Sequence, residues 1–256
     1  MVTGDAYTFV YLSPHLDDAA LSCGGRIWQQ AQAGARVAVV TVFAGDPEPG
    51  HGLSPFAREL HQRWGHPVEA VRVRREEDRD ALSVLGAEAL HWPYTDCIYR
   101  KTASGDFPYD SEQALWGRIH PEEAGLVQAV RERISAVPLL PEGTLFVPLA
   151  VGGHVDHRIV RCAAEEIEHP WRGFEDFPYA EDEGALEAAL AGGAWEEELV
   201  PLSAEALHAK TNAVASYSSQ ISSFWGSAAD MEAALRDFAE HAGAGGPAER
   251  YWTPRQ

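Results

Sequence analysis

The chain has few cysteines, and none is spaced for a site. Cys23, Cys97 and Cys162 are far apart and odd in number, with no CxxC pair. That argues against a disulfide framework and a cysteine zinc site, and suits small buried residues in a reducing cytoplasm. Lysine is confined to Lys101 and Lys210 while arginine and alanine abound, a bias read as genomic rather than chemical. No run of about 18 apolar residues exists, so no membrane insertion is expected. Met1 to Asp5 carries no basic cluster ahead of an apolar stretch, so no secretory leader is expected. Positive charge is also scarce: 20 Lys plus Arg stand against 39 Asp plus Glu, a formal net charge of -19. Phosphate backbones and anionic membranes repel such a chain, which argues against nucleic acid as a partner. A neutral or cationic small substrate is compatible with that charge.

What is present suits one large core: 256 residues, 45% of them hydrophobic, expected as a single domain over 1–256. Tyr7 to Leu12 and Arg36 to Phe43 read as buried strands, the second with the β-branched core Val37, Val39, Val40, Thr41 and Val42. Ala89 to Trp92 and Thr144 to Val147 continue the series, with a further strand near Leu199 to Leu202. Between them the apolar spacing predicts helices over Asp17–Ala33, Pro67–Gly86, Glu122–Val137 and His157–Glu168. Helices are also expected over Glu205–Ser222 and Asp230–Ala242. Uninterrupted apolar strands alternating with helices indicate an α/β fold, a doubly wound, mostly parallel sheet with helices on both faces. The long aromatic stretch from Tyr94 to Trp116 has no regular pattern, and such loops are usually functional or mobile.

Two segments carry chemistry. Pro14-His15-Leu16-Asp17-Asp18 falls where the first strand gives way to a helix. Gly152-Gly153-His154-Val155-Asp156-His157 falls at the same kind of junction after the fourth strand. In open α/β sheets ligands bind beyond the carboxyl ends of the strands. If the two strands are neighbours, the segments face each other across one crevice. Acids at a helix start also serve as simple caps, but capping explains neither His15 nor the two histidines three apart. A catalytic zinc commonly holds three His or carboxylate ligands and one open position. His15, Asp18 and His157 would supply the three. Asp17 would remain as general base. His154 would stabilise the oxyanion and protonate the leaving amine, and Asp156 would orient one of the two histidines. Three N/O ligands suit Zn2+ and also other divalent metals such as Fe2+.

These residues resemble the PIG-L/LmbE-like family of zinc-dependent N-acetylglucosaminyl de-N-acetylases. The family's HPDDE motif corresponds to His15-Leu16-Asp17-Asp18-Ala19, and its HPDH motif to His154-Val155-Asp156-His157. Its three zinc ligands match His15, Asp18 and His157, its base matches Asp17, and its further histidine matches His154. Arg74, Glu77, Ala81, Leu85 and Gly86 resemble its R-x-x-E helix, Asp96 its sugar-contacting acid, and Lys210, Tyr217, Ser219 and Gln220 its C-terminal segment. Ala19 departs from the motif's glutamate, and Leu16 and Val155 replace its prolines. The resemblance implies a Rossmann-like, LmbE-like domain that removes an N-acetyl or other N-acyl group from an amino sugar or glycoconjugate. Such hydrolases often associate, so a homo-oligomer is compatible with it.

Asp96, Arg74 and Arg100 are candidate substrate contacts, with structural ion pairs as the plainer alternative. The remaining histidines, His51 among them, show no ligand spacing. Two other functions fit the same letters: a non-haem Fe(II) oxygenase, whose facial triad usually sits on a jelly roll, and a non-catalytic sugar-binding or regulatory protein. The first would consume oxygen, and the second would bind a glycoside without turnover.

Overall fold

The computed structural model describes residues 6–50, 52–66, 68–243 and 245–255. Met1 to Asp5, His51 and the expected helix start at Pro67 lie outside them. Strand β1 (Tyr7–Ser13) leads through α1 (Asp18–Gln32) to β2 (Val37–Thr41). Helices α2 (Pro55–Arg63) and α3 (Ala70–Leu85) precede β3 (Glu88–His91). A long irregular stretch then leads to α4 (Ala124–Ser135), β4 (Leu139–Pro148), α5 (Val155–Glu165) and β5 (Trp171–Phe174). The rest is α6 (Ala185–Leu190), β6 (Trp195–Pro201), α7 (Ala204–Ala215), α8 (Ser218–Phe224), α9 (Ala228–Ala242) and β7 (Ala248–Pro254).

The seven strands of the described residues form one sheet in the order β3-β2-β1-β4-β5-β7-β6. The first five are parallel, and β7 and β6 add an antiparallel edge. This is the expected doubly wound, mostly parallel architecture. Strand residues alternate between two cores because successive side chains point to opposite faces. Val10, Leu12, Val40 and Val147 pack with Val130 and Ile134 of α4 and Ile159 and Val160 of α5. Tyr11, Val39 and Phe146 pack with Ala20 and Ile27 of α1, Leu82 and Leu85 of α3 and Ala213 of α7. Burying a residue of that size stabilises by roughly 1.5–3 kcal/mol. Both faces of the central strands are therefore anchored, while the edge strand β3 stays half-buried.

Chain reversal happens at β1 and β4. They lie side by side, with Tyr11 paired to Phe146, while their crossovers run to opposite flanks of the sheet. That switch point opens a crevice beyond their carboxyl ends.

Several elements differ from expectation. The helix expected over Glu205–Ser222 is two helices, broken at Tyr217. The cause is a pair of buried acids on α3. Tyr217 Oη donates to Asp78 Oδ1 at 2.7 Å, while the Glu77 carboxylate takes the Ser219 amide at 2.8 Å and both serine hydroxyls. Glu77 thus starts α8 afresh. Helix α2 is an addition, marked by the Ser54 cap on Ala57 N and Pro55 at its first position. Strands β5 and β7 are additions too. Lys210 bridges these parts: its Nζ reaches Glu249 of β7 at 2.8 Å and the Ser22 carbonyl of α1 at 3.1 Å.

Candidate active site

The crevice gathers both motifs. At the end of β1, Ser13 Oγ donates to the His15 carbonyl at 2.7 Å and accepts from Ala19 N at 3.0 Å, which shapes the turn into α1. Beyond β4 the chain turns through Gly152 and Gly153, at φ +80° and +84°. A Cβ at Gly152 would also press within 3.0 Å of Tyr179, so glycine is required twice over. That turn delivers His154, Asp156 and His157 at the start of α5.

Each expected ligand histidine is held by a carboxylate at one ring nitrogen. His15 Nε2 donates to Asp156 Oδ2 at 2.9 Å, and His157 Nδ1 donates to Asp176 Oδ1 at 2.6 Å. With both rings neutral, as a cation requires, these bonds assign the tautomers and leave His15 Nδ1 and His157 Nε2 as acceptors. Both face Asp18, each 3.4 Å from its Oδ2. His157 Nε2 is buried and has no hydrogen-bond partner. An unpaired buried acceptor is costly unless something fills it. Donors on a tetrahedral ion with bonds of about 2.0–2.1 Å stand about 3.3 Å apart, close to both spacings. Both spacings from Asp18 suit a divalent cation, and ligand atoms of His15, His157 and also His154 lie within 4.8 Å of one another; zinc suits a set of imidazoles and a carboxylate.

The electrostatics agree. Burial alone would push Asp18 up, but His157 and His15 hold it well below the usual carboxylate range. Burial opposes charge on His15 and His157, yet the surrounding acids outweigh it and raise both. Asp17 differs. Burial, with Asp18 beside it, pushes its carboxyl from 3.8 up to about 7 against the pull of Arg74. Its ion pair with Arg74 Nη2 is long, at 3.4 Å. A buried, weakly paired carboxylate is a better base than a solvated one. Burial, with His15 and His157 nearby, keeps His154 neutral, well below the usual histidine value. Its Nδ1 accepts from Asp156 N at 3.2 Å, so the proton sits on Nε2.

The other expectations divide. Asp96 stands at the cleft, with Oδ2 3.8 Å from His15 Nε2 and Oδ1 accepting from Ile98 N. Arg74 lines the cleft beside Asp17 and stacks over Trp64 at 4.8 Å, with its Nε unpartnered. Arg100 takes the ion-pair alternative. Its guanidinium meets Asp156 Oδ1 at 2.6 Å, Glu123 Oε1 at 2.6 Å and the Thr95 carbonyl at 3.0 Å. Those partners occupy it behind Asp156, so it supports the site rather than meeting a substrate. Asp156 orients His15, not a histidine of its own motif. Cys97 lies near His154 and Asp156, as the ligands of a cation would. The Asp156 oxygens, however, are already taken by His15, the Cys97 amide and Arg100.

Sequence reasoning missed Asp176, the second of two adjacent acids after a four-residue strand. Only its place at a strand's carboxyl end could have drawn notice. It also missed Trp64 and Tyr179. A cavity of about 300 Å³ opens over the site, walled by Phe56, Leu60, Trp64, Leu115, Trp116 and Phe224. Trp116 meets His154 edge-on, with ring centroids 5.3 Å apart. A larger groove of about 670 Å³ elsewhere carries no cluster of three metal-ligating side chains among the described residues.

Residues 10–168 match the PIG-L family model, described as GlcNAc-PI de-N-acetylase. A 2'-N-acetylparomamine deacetylase from Niallia circulans is 27% identical over 190 residues, 68% of each chain. The protein of that name from Streptomyces fradiae is 32% identical over 182 residues, 69% of this chain and 59% of its own length. Among solved structures, the zinc-inhibited form of teicoplanin deacetylase Orf2 superposes with a TM-score of 0.83. It is 33% identical, over 96% of this chain and 97% of that one.

Proposed function

The chain belongs to the PIG-L family, and from that membership we propose that it is a metal-dependent hydrolase that removes the N-acetyl group of an amino-sugar glycoconjugate. One observation carries the reading: two histidine nitrogens and a carboxylate, each oriented with an unshared pair inward, converge beside a second, poorly paired carboxylate. His15 Nδ1, Asp18 and His157 Nε2 would hold the ion. When bound, a divalent cation supplies a Lewis acid for the amide carbonyl and acidifies water from about 15.7 towards about 7.

The chain's own groups do the rest. Asp17 takes the proton of the attacking water as the C–O bond forms. That proton is then available to the leaving nitrogen as the amide C–N bond breaks, giving a carboxylate and a free amine. His154 donates its Nε2 proton as a hydrogen bond to the developing oxyanion, a contribution of roughly 2.7–4 kcal/mol in comparable sites. A neutral imidazole with one proton suits that role better than protonating the amine. Asp156, backed by Arg100, keeps His15 in register.

The six apolar and aromatic walls of the cavity suit a substrate with an apolar body beside the sugar, and the relatives include a 2'-N-acetylparomamine deacetylase and a teicoplanin deacetylase. Asp96 and Arg74 are the polar groups placed to meet sugar hydroxyls. The oxygenase alternative expects a jelly roll, and this sheet is doubly wound and parallel. No helix among the described residues is long and apolar enough to cross a membrane. A cytoplasmic location belongs to the same proposal, because all three cysteines are free thiols.

The test loads metal-stripped protein with Zn2+, Fe2+ or Mn2+ from one equivalent upward. It then measures amine release from N-acetylglucosaminyl glycopeptide aglycones, N-acetylated aminoglycosides and free N-acetylglucosamine. Release that depends on metal is expected. Absence of release from every substrate with every metal would overturn the reading.

A further inference from the structure

We propose that Asp176 is a positioning residue that ties the last metal ligand to the turn carrying His154, and so sets how tightly the site holds its cation. The proposal rests on the metal-centre reading above and adds a residue outside both motifs. Asp176 also lies beyond residues 10–168 matched by the family model.

Both oxygens of this carboxylate are in use. Oδ1 accepts from His157 Nδ1 at 2.6 Å, and Oδ2 accepts from Val151 N at 2.8 Å. The pair is sealed, with His157 and Asp176 side chains 0% and 1% exposed, so water cannot replace either bond. The first bond fixes the tautomer that leaves His157 Nε2 bare, and its short length locks the ring's rotation. The second fixes the start of the Val151–Gly153 turn, which ends at His154. One carboxylate at the end of β5 therefore sets the direction of two site histidines. Carboxylates that orient ligand histidines typically change metal affinity by 10–100-fold when removed.

Asp176→Asn tests this. An asparagine is nearly isosteric, yet its single oxygen can serve only one of the two N–H donors. Zinc affinity is read by chelator competition on the parent, on Asp176→Asn and on Glu175→Gln. Glu175 is the neighbouring buried acid on the same strand end, and it is bound to Arg250 and Trp252 instead. Asp176→Asn is expected to bind zinc 10–100-fold more weakly. The stabilisation that saturating zinc gives over the stripped protein then falls by about 1.4–2.8 kcal/mol, since each tenfold is about 1.4. Glu175→Gln is expected to bind within twofold of the parent. Equal affinities for parent and Asp176→Asn would overturn the proposal while leaving the metal centre standing. Equal losses in both variants would reduce Asp176 to a structural acid, and a parent that binds no zinc would remove both readings.

Discussion

Asp17→Asn should make the metal-free protein more stable while abolishing most of its turnover. Asp17 precedes α1 at the cap position, but its side chain makes no capping hydrogen bond. The usual loss of about 1 kcal/mol for removing a cap therefore does not apply. The carboxyl is displaced from 3.8 to about 7, chiefly by burial. A folded value above the unfolded one means the native state disfavours the ionised form. Stability from this group is present in full below about pH 4 and lost as pH rises through about 7. Three units at about 1.36 kcal/mol each set a ceiling of about 4 kcal/mol at pH 8. Asparagine escapes that cost but leaves Arg74 without its partner, so a gain of roughly 2 kcal/mol is expected. Urea unfolding of the stripped proteins at pH 8 and pH 5 measures it, and the gain should vanish at the lower pH. Turnover of the metal-loaded variant should fall by roughly 10²–10⁴-fold, with zinc still bound. A variant that is less stable at pH 8, or that keeps near-full activity, would refute the assignment of Asp17 as a base held under strain.

Asp18→Ala and His157→Ala should lose the metal as well as the activity, because each removes one of three donors; metal content after dialysis reads this. Trp116→Ala should raise KM more than it lowers kcat, since Trp116 walls the cavity beside His154 without being placed for proton transfer; steady-state kinetics on the best glycoconjugate decides it. Arg100→Met should cost about 3–5 kcal/mol in urea unfolding, as it strands the buried Asp156 and Glu123 carboxylates together. A loss below about 1 kcal/mol would place Arg100 in water rather than in the core.

The half of the molecule with short-range signals was legible in advance. The strands β1, β2 and β4 announce themselves as continuous apolar runs, and the donors lie within two compact segments at their ends. Their meeting was conditional on β1 and β4 being neighbours, and the register of Tyr11 with Phe146 meets that condition. What was hidden depends on partners far away in the chain. Tyr217 breaks a helix with no glycine or proline to mark it, because Glu77 and Asp78 lie some 140 residues upstream. Arg100 carries the composition of a ligand-binding residue, and only packing reveals that Asp156 and Glu123 have claimed it. Asp176 has no motif, and β5 spans four residues with one outward arginine. Ala19 is buried among Ala20, Cys23 and Ile27 of α1, so the glutamate of the family motif has no counterpart in the ligand set here.

The most direct measurement is anomalous diffraction at the zinc edge from crystals grown with one equivalent of metal. The account predicts one strong peak at about 2.0–2.2 Å from His15 Nδ1, an Asp18 oxygen and His157 Nε2. A peak centred on Cys97 or Asp96, or no peak within reach of those three atoms, would contradict it.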